Sequence, residues 1–333
     1  MNRFQKRLGS SFLVVASVLC SCDSNRDKPA RPQPTTARPI VRLAYLKIGS
    51  DLPYFVGASK MIFAKHGLEV RGVRLGDSNQ VVEALLSGQI DAADITGSSV
   101  VLAEAVRKPG AFKVFMASMA GANSNIHQLI ARKDTGIESI RDLAGRRLAV
   151  FPGSQMRAYV QLVLRHFLEP PQIANVVLVP LTPPQQIQAM RDGQVDAVLA
   201  LEPTGTEIVS ARLGKRIGNN VLFEYVSKPE PFLTAYGLLG TAWASKNPAA
   251  ARALVEAYGE ITAYIADHPG DARQVLAVEL GVDAEVARET SLYEYLVVPA
   301  LTPTAVAASV KVMVDAGVLE RAPDLGSFLY AIE

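Results

Sequence analysis

The residues best placed for chemistry in this chain are small, hydroxylated and grouped where an apolar run gives way to a helical one. Four stretches have this character: Ser50 to Tyr54, Gly76 to Asn79, Thr96-Gly97-Ser98-Ser99 and Pro152-Gly153-Ser154-Gln155. A helix start leaves backbone N–H groups unpaired and carries the positive end of the macrodipole, so each stretch favours an anionic or polar group. Thr96, Gly97 and Ser98 add hydroxyls and close backbone approach; Gly153, Ser154 and Gln155 do the same later in the chain. Asp51, Tyr54, Asp77, Arg157 and Glu202 complete the candidate ligand-binding set. Their charges point two ways. Arg157, one turn beyond Gly153, suits a sulfonate or carboxylate. Asp51, Asp77 and Glu202, wherever they line a site, favour an amine, a hydroxyl or a pyrimidine amino group. Tyr54 suits either a ligand contact or core packing. Ser78 and Ser99 equally suit helix capping, and Gly97 and Gly153 a tight turn.

Catalytic constellations are missing. His66, His127, His166 and His268 are dispersed without metal-ligand spacing, and the chain has two cysteines, Cys20 and Cys22, both near its start. There is no nucleophile elbow, P-loop or dinucleotide fingerprint. No metal, no cofactor and no enzymatic reaction are expected. A formal charge of +2 with scattered basic residues gives no nucleic-acid surface, and Arg146 and Arg147 read as strand-edge charges.

These loops need a frame, and the hydrophobic pattern supplies one. Short β-branched runs alternate with helical periods: Val41 to Ile48, Tyr54 to Lys65, Glu69 to Leu75, Val81 to Ser87, Ala92 to Ile95, Ser99 to Arg107 and Phe112 to Ala117. That order predicts an α/β fold with mixed, mostly parallel sheets. Ser78 is read as the N-cap of the helix that ends at Gly88, and His66 as a helix-end residue favoured by the dipole. The grammar returns from Arg147 to Val150, Met156 to Phe167, Val176 to Val179, Gln185 to Arg191, Ala197 to Leu201 and Thr204 to Ala211. Later, Asn247 is expected to cap a helix with Leu254, Tyr258, Ile261 and Ile265 on one stripe, and Thr302-Pro303 to start another that ends at Gly317.

The return is a repeat. Gly88-Gln89-Ile90-Asp91-Ala92 recurs 105 positions later as Gly193-Gln194-Val195-Asp196-Ala197. The same displacement relates Arg42-Leu43-Ala44 to Arg147-Leu148-Ala149, Tyr54 to Tyr159, Gln80 to Gln185 and Ala84 to Ala189. A period this long predicts two similar doubly wound lobes rather than a solenoid. Ligands of open α/β sheets bind beyond the carboxyl ends of the strands, so two facing lobes make a cleft.

The chain opens with a basic start (Arg3, Lys6, Arg7) and an apolar run from Phe12 to Leu19, the layout of an export signal and too short to span a bilayer. Leu19-Cys20-Ser21-Cys22 resembles the lipobox of bacterial lipoproteins, with Cys22 as the lipidated residue, so residues 1–22 read as a lipoprotein signal. Asp23 resembles an inner-membrane retention signal, should the host be Gram-negative. Residues 23–39 are rich in proline and poor in large apolar residues, which reads as a tether.

Several segments together resemble the nitrate, sulfonate and taurine binding proteins of ABC importers, whose domain type is shared with thiamine-precursor binding proteins. They are Leu52-Pro53-Tyr54, the run Phe63 to Val70, Ala84 to Ala92, Ile140 to Val150, Gly153-Ser154, Gly193 to Ala197 and Glu202-Pro203. The resemblance covers nearly all of the chain after the tether. It implies a type II periplasmic binding fold: lobe I from 40–120, lobe II from 121–226, and a return to lobe I over 227–333. It also implies a lipid-anchored, extracytoplasmic monomer that closes on a small polar solute and delivers it to an ABC permease and ATPase complex. Alternatives are a ligand-presenting sensor for a membrane receptor and a binder of a thiamine-precursor pyrimidine. Enzymes of related fold include a pyrimidine synthase with a Cys-rich motif that this chain lacks.

Overall fold

Eleven strands form where apolar and β-branched residues run together, and in this computed structural model they are assembled over residues 38–331, the residues that the structure describes. In chain order they are β1 (Ile40–Tyr45), β2 (Glu69–Arg74), β3 (Ala92–Gly97), β4 (Phe112–Ala120), β5 (His127–Arg132), β6 (Arg147–Val150), β7 (Val177–Pro180), β8 (Ala197–Leu201), β9 (Gly214–Gly218), β10 (Phe232–Gly240) and β11 (Glu294–Val297). The expected export signal, Cys22 and most of the tether lie outside the described residues.

The helices are α1 (Leu52–Ser59), α2 (Ile62–Lys65), α3 (Ser78–Leu86), α4 (Ser98–Arg107), α5 (Ser154–Leu164), α6 (Pro170–Ala174), α7 (Pro183–Arg191), α8 (Thr204–Ser210), α9 (Thr241–Lys246), α10 (Pro248–Asp267), α11 (Pro269–Leu280), α12 (Ala284–Glu289) and α13 (Pro303–Asp315). Among the described residues, no helix is long and apolar enough to cross a membrane.

Two mixed sheets result, one per lobe. The first runs β11-β4-β10-β3-β1-β2 and the second β7-β6-β8-β5-β9. The chain leaves the first sheet after β4, builds the whole second sheet, and returns as β10. β3 and β10 are buried along their full length, as central strands covered on both faces must be, whereas edge strand β2 is mostly exposed.

The 105-residue repeat is structural. Leu43 pairs with Ala92 and Ala44 with Ala93 in lobe I; Leu148 pairs with Ala197 and Ala149 with Val198 in lobe II. The repeated Arg and Asp of each copy meet across that pairing. The Asp91 carboxylate accepts from the Arg42 backbone N–H at 2.8 Å, from Nε at 3.0 Å and from the guanidinium at 2.6 Å. Asp196 repeats this with Arg147 at 2.8, 3.2 and 2.9 Å. Such a bidentate fork fixes two neighbouring strands in register, and Arg147 holds the Asp196 carboxyl below the usual carboxylate range.

Local readings differ from the structure in three places. The helix expected from Tyr54 to Lys65 breaks at Met61, which takes a left-handed turn (φ 58°) so that Phe63 folds back over Gly57. Asp77, not Ser78, caps α3, accepting from the N–H groups of Asn79 and Gln80. Asn247 precedes Pro248 as expected, but its amide turns back to the Trp243 carbonyl at 3.0 Å instead of capping α10. The α10 stripe of Leu254, Tyr258, Ile261 and Ile265 is buried, and Thr302 caps α13 through Ala305 N–H.

Candidate functional site

Four strand exits converge between the lobes: those of β1 and β3 from lobe I, and of β6 and β8 from lobe II. The same displacement that relates the lobes relates these loops, carrying Gly97 to Glu202 and Gly49 to Ser154. They touch in two pairs that the displacement matches to within one residue. Gly97 lies against Gln155, where a Cβ would sit 1.8 Å from the Gln155 Oε1, and Gly49 lies against the backbone carbonyl of Glu202. At the edge of the same interface Ser154 donates through N–H and Oγ to the Asn79 side chain at 3.3 and 3.2 Å. The cleft is therefore closed.

A small cavity of about 30 Å³ remains at its centre, with room for about two water-sized groups. Its polar walls are Ser50, Ser78, Gly97, Ser118, His127, Gly153, Gln155, Thr234 and Tyr293; Leu46, Ile48, Phe151, Met156 and Leu201 are among the apolar ones. None of the lining residues is a lysine, arginine, aspartate or glutamate. His127 is buried, and burial lowers its pKa to about 3, so the ring is neutral.

Two helix starts border this space, through Gly97 ahead of one and through Gly153 and Gln155 at the other. α4 begins after Gly97 and α5 after Gly153, and neither has a side-chain cap, unlike α3 and α13. Ser78 Oγ takes the Gly97 N–H, and the Asn79 side chain takes that of Ser154. Buried side-chain atoms without a partner cluster here too: Gln155 Oε1, His127 Nδ1 and Tyr293 Oη, with Thr96 Oγ1 just behind. The Gln155 amide is oriented by its Nε2 donating to the Thr234 carbonyl at 3.4 Å, so the free atom is an acceptor. A buried polar atom left unpaired costs free energy that a bound group can recover.

The sequence-predicted residues divide. Gly97, Gly153 and Gln155 line the cavity. Ser98 is buried beside them, its Oγ 3.0 Å from the Tyr159 hydroxyl, and Ser154 sits on the rim. The others are elsewhere. Asp51 is fully buried beneath the β1 exit, where it accepts from Leu46 and Ile48 N–H, and Asp77 caps α3 while lying against Gly153 across the lobe contact, outside the cavity lining. Tyr54 stacks on Tyr45 and covers Gly72. Arg157 is exposed on the far side of α5, in an outer groove with Arg165 and Pro170. Glu202 turns its carboxylate into lobe II, accepting from Thr206 N–H at 3.0 Å, Thr206 Oγ1 at 2.6 Å and Gln128 Nε2 at 2.5 Å; burial raises its pKa.

Sequence reasoning missed Ser118, His127, Thr234 and Tyr293. Three of them lie on the strands that enter or leave the lobes, which no helix-start argument reaches. A signal existed for two: Ser118 and Thr234 are hydroxyl residues inside mostly apolar strands, and they meet at 2.9 Å.

A family model described as NMT1-like matches residues 35–280. The chain belongs to the NMT1-like family. Among relatives, it is 26% identical over 251 residues to the nitrate/nitrite binding protein NrtA of Synechococcus elongatus, a match covering 68% of this chain and 55% of that one. The chain spans between 35% and 55% of the length of the curated relatives it matches. Among solved structures it resembles the periplasmic aliphatic sulphonate binding protein SsuA of Escherichia coli, with a TM-score of 0.65 and 16% identity over 88% of this chain and 97% of that one. The desulfurization enzyme DSZB has the same fold, at a TM-score of 0.63 and 16% identity over 88% and 96% of the two chains. At such identities the structures share architecture: the two-lobed α/β form of periplasmic binding proteins, on which an enzyme has also been built.

Proposed function

We propose that this chain is the extracytoplasmic solute-binding component of an ABC import system, capturing a small polar solute of the nitrate, sulfonate or taurine kind by lobe closure. The observation that carries this reading is the meeting of one helix start from each lobe at a cavity lined by no charged side chain; at about 30 Å³ it must widen to take the solute. Backbone dipoles can hold an anionic oxygen there without a counter-ion. The free Gln155 Oε1 favours a solute that also offers an N–H, as taurine does. Lipidation of Cys22 would keep the loaded molecule near its permease and ATPase, because a tethered partner meets its target at a raised effective concentration. The family's importer-associated relatives support the same assignment.

Binding without turnover fits the cavity chemistry. No cysteine follows Cys22, and His127 titrates far too low to act as a base near neutral pH. A thermal-shift screen over taurine, alkyl sulfonates, nitrate and pyrimidines should yield one clear stabiliser. A solute at 100 times its Kd adds about 2.7 kcal/mol to the folded state, a shift of several degrees. Reproducible turnover of any compound, or a flat screen, would overturn the assignment.

A further inference from the structure

The cavity abuts a groove of about 680 Å³ between the lobes. Leu46, Ile48, Phe151 and Leu201 line both volumes and so form a collar between them. Across that collar the β1 exit presents Gly49 to the groove and Ser50 to the cavity, so the backbone joining them is part of the partition. On the reading that the cleft captures a solute, we infer that Gly49 and the Glu202 carbonyl form the gate that seals the cavity from the groove.

The contact is hard on both sides. A Cβ on Gly49 would stand 2.1 Å from the Glu202 carbonyl oxygen and 3.1 Å from Pro203 Cδ, closer than atoms pack. Gly49 is not in the left-handed region, so alanine suits its backbone and only the approach of the other lobe excludes it. Its loop cannot retreat: Asp51 grips the N–H groups of Leu46 and Ile48, and Tyr295 Oη donates to the Ser50 carbonyl at 3.0 Å. Opposite, Glu202 is fixed through its N–H to the Ile126 carbonyl and through its carboxylate to Thr206 and Gln128. The repeat-related contact is soft by comparison, because Gly97 faces the end of the Gln155 side chain, which can rotate away. Adding one carbon at Gly49 therefore separates the lobes, whereas the same change at Gly97 moves a side chain.

Gly49→Ala tests this, with closure measured independently of any solute. In a chain carrying Cys20→Ser and Cys22→Ser, Asn79→Cys with Ser154→Cys places two thiols at the lobe contact, and their rate of disulfide formation reports closure. Gly49→Ala should slow that rate severalfold. In the otherwise unaltered chain it should raise the Kd for the best stabiliser among taurine, ethanesulfonate and nitrate roughly tenfold or more, through faster release. Parental trapping with Gly49→Ala, in a protein of parental Tm, would overturn the gate. Slowed trapping with no solute bound by the parent would uphold the gate and sink the solute reading instead.

Discussion

Asp51 shows how far a residue's surroundings can change what its type suggests. Its carboxyl, read from the sequence as a ligand contact, is fully buried beside Asp94, which is itself fully buried. Burial raises the pKa of Asp51 to about 7 and that of Asp94 well above its ordinary value. The groups facing the pair are Tyr54 of α1, Tyr258 of α10, and Tyr293 and Tyr295 at β11, none of them a cation. The folded protein thus holds protons that an unfolded chain with ordinary carboxyls has released. The stability that Asp51 contributes is fully present below about pH 4 and is lost as pH rises through about 7, by up to about 1.4 kcal/mol per pH unit. His127 acts oppositely: its neutral ring contributes stability above pH 6.5 that is lost as pH falls toward 3. Asp51→Asn keeps an acceptor for Leu46 and Ile48 and removes the charge. Its stability relative to the parent should climb from pH 5 to pH 8 in urea unfolding, a comparison that cancels His127. A pH-independent difference would show that the pair is already neutralised in another way.

Among the elements, the duplicated strand pairs are what the sequence showed most plainly. Arg42 with Asp91 and Arg147 with Asp196 repeat one geometry at one displacement. Asp91→Ala and Asp196→Ala each leave a strand N–H without its partner, and each should cost about 1–3 kcal/mol. Chemical denaturation should find the two costs within about 1 kcal/mol of each other, and a loss in one lobe alone would deny the pairs equal structural work. Helix starts were less legible than strands. Asp77 outcompetes Ser78 for the α3 cap because its carboxylate reaches two amides, and Ser78 is then free to bind Gly97 in the next loop. Gly97 and Gly153 line the cavity at loops that end a strand and open a helix, where small residues are needed. Arg157 was misplaced because its helical phase, not its distance from Gly153, decides which way it faces.

At the scale of the whole molecule the structure is a closed form, with the lobes in contact at Gly49, Gly97 and Ser154. Hinge closure around a solute requires an open partner state. Small-angle scattering should give a radius of gyration of about 19 Å for the body when the stabilising solute is present, and a larger value without it. Identical values in both conditions would argue against closure as the capture step.

Sequence alone determined the two-lobed α/β form, the equivalence of its halves and three glycine or glutamine positions of the cavity, because strand and helix periods and a 105-residue repeat are local or translational patterns. Only the tertiary structure decided that His127, Ser118, Thr234 and Tyr293 join them, and that Asp51, Glu202 and Arg157 do not line the cavity. The reason is physical. Which side chains face a cleft depends on where the chain crosses between sheets and on the phase of each helix against its neighbours, and neither is written in the spacing of residues along one strand.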